Sequence, residues 1–177
     1  MKTKMTKKEI MQEILSYVKT IAISLLAAYI VCSKIVTQAQ VPSGSMEDTI
    51  MTGSRVIMYR AAYWLEDPAR GDIVAFRLPD DESQLLLKRI IGLPGETVEG
   101  IDGKVYINGE ELEEPYIDTV YYGSFGPYVI PEDCYFMMGD NRGISWDSRF
   151  WNNKFVSKSA IQGKVKIELY PELKILE

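Results

Sequence analysis

Beyond residue 45 the chain breaks into short runs rich in β-branched and aromatic residues, and this rhythm restricts the fold more than any other feature. The runs cover residues 55–59, 72–76, 85–91, 104–107, 134–138 and 164–167. Turn-forming peptides separate them, among them Arg70-Gly71-Asp72, Leu93-Pro94-Gly95 and Ile101-Asp102-Gly103. Asn108-Gly109 between residues 104–107 and 110–112 reads as a tight hairpin. Many short strands with no long amphipathic helix between them predict an all-β, antiparallel barrel or sandwich. A small inserted β region is expected at about 98–133. The acidic stretch 110–114 reads as a solvated hairpin edge.

Ahead of this body, residues 14–36 are mostly apolar, interrupted by Lys19 and Lys34. As a helix these 23 residues span about 35 Å, enough for a hydrocarbon core of roughly 30 Å. The 14 residues between the lysines span only about 21 Å. Lysine stems running along the helix to the headgroups close most of that gap. Lys2, Lys4, Lys7 and Lys8 precede the span and predict a cytoplasmic N-terminus. The division that follows is a cytoplasmic tail at 1–13, a single-pass cell-membrane anchor at 14–36 and an extracytoplasmic catalytic β domain at 37–177. A cleaved secretory signal, or an amphipathic helix packed on the body, also fits this stretch.

Charge is divided along the same boundary. Residues 1–36 hold six lysines against Glu9 and Glu13, a balance of +4, and the remaining 14 basic and 23 acidic residues leave −9. An acidic body argues against a nucleic-acid partner, because phosphate binding needs a basic face. Cys32, inside the apolar run, and Cys134, far along the chain, make an improbable disulfide pair. Without histidine or clustered cysteines there is no recognisable zinc site, and neither metal nor cofactor is expected.

The missing histidine narrows the chemistry further. Val41-Pro42-Ser43-Gly44-Ser45-Met46-Glu47-Asp48-Thr49-Ile50 presents hydroxyls around a glycine turn, and a serine nucleophile needs a base. With no imidazole, the remaining candidate is a neutral amine, which Lys88 supplies. A free lysine near pKa 10.4 is only about 0.04% neutral at pH 7, and a three-unit depression needs roughly 4 kcal/mol. Burial can provide that. Strand alternation puts Lys88 with Leu86 and Ile90 on one apolar face, opposite Leu87, Arg89 and Ile91. Taken singly, the lysine also fits a solvated strand edge and the serines a surface loop.

Taken together, these residues resemble a bacterial type I signal peptidase (peptidase family S26). The resemblance covers the N-terminal anchor, the Ser-Met-x-x-Thr box at Ser45, Arg70-Gly71-Asp72-Ile73-Val74 and the box from Lys88 to Glu96. It extends through Gly139-Asp140-Asn141-Arg142 and on to Ser145-Trp146-Asp147-Ser148-Arg149. It implies Ser45 as nucleophile, Lys88 as general base, and Ser43 beside the Ser45 amide as an oxyanion donor. Ser145 would orient the lysine amine, and Arg89, Asp140, Asp147 and Arg149 would support the site through ion pairs. The implied activity is cleavage of N-terminal signal peptides from secreted preproteins, with small residues at positions −3 and −1, beside membrane lipid. Met46, Tyr63 and Trp64 are candidates for the lipid surface or the core. In one departure, Asp48 stands where the family usually has proline. Two other readings share these features: a self-cleaving repressor-type Ser-Lys peptidase, and a catalytically impaired β domain that binds or assembles surface proteins.

Overall fold

The computed structural model describes residues 6–47, 49–117 and 123–176, so Asp48 lies outside the described residues. Thr6 opens the helix α1 (Lys7–Ile30) with a capping box. Its Oγ1 accepts the Glu9 N–H at 3.3 Å while the Glu9 carboxylate accepts the Thr6 N–H at 2.6 Å. A π-helical turn, Val31–Ile35, finishes the helix. Together Lys7–Ile35 is long and apolar enough to cross a membrane, and none of its apolar window is buried against the body. Leu25, Leu26 and Tyr29 stand exposed along it, a surface that hydrocarbon solvates better than water.

The chain then turns directly into β1 (Val36–Gln40). The other strands are β2 (Arg55–Tyr59), β3 (Ile73–Leu78), β4 (Asp81–Gly92), β5 (Thr97–Ile101) and β6 (Lys104–Ile107). They continue as β7 (Glu110–Glu111), β8 (Phe125–Val129), β9 (Cys134–Met138), β10 (Phe155–Ser157), β11 (Ile161–Tyr170) and β12 (Lys174–Ile175). An eight-stranded sheet runs β1-β2-β11-β3-β4-β9-β10, with β12 added to β11. A four-stranded sheet, β7-β6-β5-β8, branches off after β4. Every pairing is antiparallel. A mostly-β architecture behind one apolar helix therefore matches the sequence expectation.

The 104–107 and 134–138 runs became strands with the expected bounds, and Asn108 and Gly109 take positive φ, as a tight β6–β7 hairpin requires. Five strands were unforeseen: β1, which follows the apolar run as a mostly polar stretch, β5, β8, which contains Pro127, and the short β10 and β12. β3 lies between β11 and β4 and is buried on both faces except at Arg77. Its neighbour β4 is exposed over its first half and buried over its second, the change falling at Lys88. Met46, Ile50, Val56, Ile73 and Ala75 pack one core, and Val74, Phe76, Ile90, Met137 and Trp151 pack another, with Leu86 against it. Ile91, Val98, Val105, Ile130 and Phe136 join the two sheets in a third.

Candidate active site

Ser45 sits in a 3-10 turn, Gly44–Met46, entered from Ser43 in extended backbone. Met46 anchors the turn by burying its whole side chain among Val41, Ile50 and Val56, which settles it as core. Thr49 ties the following residues down by donating from Oγ1 to Asp140 Oδ2 at 2.6 Å. The Ser45 carbonyl accepts the Asn141 N–H at 3.1 Å. One distant segment, at Asp140 and Asn141, thus ties down the serine turn, and Ser45 is 9% exposed. Ser43 Oγ lies 3.4 Å from Ser45 Oγ.

Lys88 reaches this serine from β4. Its Nζ is 2.6 Å from Ser45 Oγ, and the residue is 3% exposed. Burial is the main reason its pKa falls to about 8. The carboxylates of Asp147 and Asp140 oppose that fall and the Arg149 guanidinium adds to it. No carboxylate is hydrogen-bonded to the amine among the described residues. A pKa near 8 leaves about one amine in ten neutral at pH 7, more than about two hundred times the share of a free lysine.

Behind the dyad lies a wall of fixed charge. Arg89 donates through Nε and Nη2 to the two Asp140 oxygens at 2.9 and 2.7 Å, and through Nη1 to the Gly71 carbonyl at 2.8 Å. Arg149 grips Asp147 in the same forked way, at 2.7 and 2.8 Å. Asp147 also accepts the Gly139 N–H at 3.0 Å. All four of these charged groups are buried. Gly139 has to be glycine: a side chain there would collide with the Ser45 carbonyl oxygen and the Ser145 hydroxyl.

Ser145 is brought into this cluster and buried, but its Oγ has no hydrogen-bond partner. The expected bond to the Lys88 amine is not formed, and the hydroxyl lies against Gly139. Ser43, Ser45, Lys88, Arg89, Asp140, Asp147 and Arg149 converge as a group.

The acidic stretch 110–114 needs a correction. Glu114 is no solvated edge: its side chain is 8% exposed and grips Arg142 through both oxygens, at 2.5 and 2.8 Å. Arg142 in turn donates from Nε to the Gly139 carbonyl at 3.0 Å. Tyr116 donates to Glu114 at 2.8 Å and lays its ring 3.8 Å beneath the Arg89 guanidinium. The loop after β7 therefore clamps both arginines. Arg142 stood in a box already singled out, but nothing local marked Glu114 or Tyr116 as its partners.

A cleft with about 60 Å³ of interior space opens beside the dyad. Ala39, Gln40 and Pro42 line one side and Leu85, Leu86 and Leu87 the other. Trp64 lies apart from it and is 65% exposed. Among the described residues no cluster of three or more metal-ligating side chains is present.

Comparison with known proteins fits this geometry. A sequence profile described as signal peptidase, peptidase S26, matches residues 14–170. A probable signal peptidase I-2 from Synechocystis sp. is 35% identical over 86% of this chain and 72% of its own length. Signal peptidase I from Bacillus amyloliquefaciens is 33% identical over 97% of this chain and 96% of its own. The crystal structure of a signal peptidase I from Enterococcus faecalis is 38% identical, covering 56% of this chain and 97% of that one at a TM-score of 0.49. With the profile spanning both the helix and the β body, the chain belongs to the signal peptidase family, peptidase S26.

Proposed function

We propose that this chain is a membrane-anchored serine endopeptidase that removes N-terminal signal peptides from secreted preproteins by a Ser45–Lys88 dyad. The observation that carries the reading is the buried amine 2.6 Å from the serine hydroxyl with no carboxylate bonded to it. Ser45 Oγ attacks the scissile carbonyl carbon while its proton passes to the neutral Lys88 Nζ. The oxyanion is stabilised by the Ser45 N–H, which lies in the first turn of a 3-10 segment and has no partner within that turn. The Ser43 hydroxyl is the second donor. The Lys88 ammonium then protonates the leaving amine and the acyl-enzyme forms. Neutral again, Lys88 takes a proton from the water that cleaves the ester. Ser145, with its buried hydroxyl uncommitted, orients the amine once it carries the extra proton. The arginine–carboxylate pairs hold the loops that carry these groups.

Substrate binding follows from the cleft. The outer edge of β1 is unpaired among the described residues, and β4 meets β9 only from Arg89 onward. An extended signal-peptide segment adds its backbone between these edges, and the small space beside the dyad admits short side chains at −3 and −1. α1 spans the cell membrane with its lysine-rich N-terminus in the cytoplasm and the catalytic body outside.

Ser45→Ala and Lys88→Ala should each abolish preprotein cleavage, by about 10⁴-fold or more, while circular dichroism stays native. Since only the neutral amine is a base, kcat/KM should climb with pH and level off above about 8. Retained turnover in either variant, or a rate independent of pH from 6 to 10 with chemistry limiting, would overturn the dyad.

A further inference from the structure

A second cavity lies where the helix joins the body, away from the dyad. It has about 330 Å³ of interior space and is lined by Lys34, Arg60 and Lys158 together with Trp64 and Gln162. Lys158 is paired with Asp67, whereas Lys34 and Arg60 make no ion pair among the described residues.

Connectivity fixes the height of this cavity. Lys34 belongs to the π-helical turn that closes the membrane-length helix, and that turn packs against the 3-10 turn Arg60–Tyr63. With this helix in a bilayer, its cations lie at the level of the lipid phosphates. Beside it Trp64 is 65% exposed and Leu65 98% exposed. An aromatic and an aliphatic side chain next to a cationic pocket is the arrangement that suits the boundary between headgroups and acyl chains.

We propose that this cavity binds the phosphate of an anionic phospholipid headgroup in the leaflet facing the catalytic body. Arg60 and Lys34 hold the phosphate oxygens, and Trp64 and Leu65 rest against the glycerol and upper acyl chain. The proposal rests on the membrane-spanning reading of α1 and is independent of the dyad, so it is tested in the full-length Ser45→Ala variant.

That protein, in neutral detergent, is titrated with phosphatidylglycerol or phosphatidylcholine bearing brominated acyl chains, and tryptophan quenching is read. Phosphatidylglycerol should bind more tightly, by about fivefold per cation and so about 25-fold in all. Lys34→Gln with Arg60→Gln should bring the two lipids to near parity, and Trp64→Phe should remove most of the quenching. Both changes are at exposed positions, and preprotein cleavage by the Lys34→Gln/Arg60→Gln protein on an otherwise wild-type background reports that it is folded. Equal affinity for the two lipids, or a preference that survives the double substitution, would overturn the site. Competition by millimolar inorganic phosphate as effective as that by the lipid would overturn its assignment to a membrane lipid.

Discussion

The cleft and the wall behind it treat positive charge in opposite ways. In the wall, Arg89, Arg142 and Arg149 each meet both oxygens of a buried carboxylate, on Asp140, Glu114 and Asp147. In the cleft, Lys88 meets a hydroxyl. Lys88 and Arg89 are adjacent in sequence, and strand alternation delivers them to opposite faces of β4. A guanidinium cannot shed its proton, so burying it demands a partner. An ammonium can, and dehydration without a bonded carboxylate leaves it inclined to do so. The fold thereby keeps the charge that must stay apart from the charge that must come and go.

The arginine side is the easier to break. Glu114→Gln leaves the Arg142 guanidinium buried beside a neutral amide, which should destabilise the protein by about 3–5 kcal/mol, read by thermal unfolding of the full chain in detergent. A loss under 1 kcal/mol would mean that the wall does not depend on strict pairing.

The lysine side yields the opposite sign. With a folded pKa of about 8 against an ordinary 10.5, the unfolded chain holds a proton between these values that the folded chain has lost. Wild-type stability therefore rises with pH across that window, and below about 8 folding carries a cost of about 3 kcal/mol. Lys88→Met removes the cost, so the variant should be more stable than wild type at pH 7 by up to about 3 kcal/mol. The gap should close as the pH reaches 10.5. A variant less stable at pH 7 would show that the amine is not strained by its surroundings.

The smallest effect belongs at the surface. Lys104 and Glu111 pair at 2.7 Å with about half of each side chain exposed, so Glu111→Gln should cost less than about 1 kcal/mol. A loss as large as that from Glu114→Gln would erase the contrast between buried and exposed pairs.

Much of this was legible in the chain because it is local. The strand runs, the Asn108-Gly109 hairpin and the apolar company of Lys88 on β4 are all written in residues close to one another. The meeting of Ser45 with Lys88 was legible through the missing histidine, which left no other base. What stayed hidden depends on distant partners. Glu114 is one of several acidic residues in a row, and only the fold decides that it alone turns inward to Arg142. Tyr116 beneath Arg89 is equally silent in sequence. β1 was hidden because Thr37-Gln38-Ala39-Gln40 is a short, mostly polar stretch, and only pairing with β2 makes it a strand. Ser145 stood in the right box, yet its buried hydroxyl lies against Gly139 and makes no hydrogen bond.

The passage from helix into β1 has no slack in it: one residue, Val36, changes the backbone from helical to extended. With α1 in a bilayer, the reactive oxygen is carried on a stiff post instead of a tether. On the proposed function, its elevation is then a built-in gauge, and a polypeptide would be cut according to how far its scissile bond emerges from the lipid.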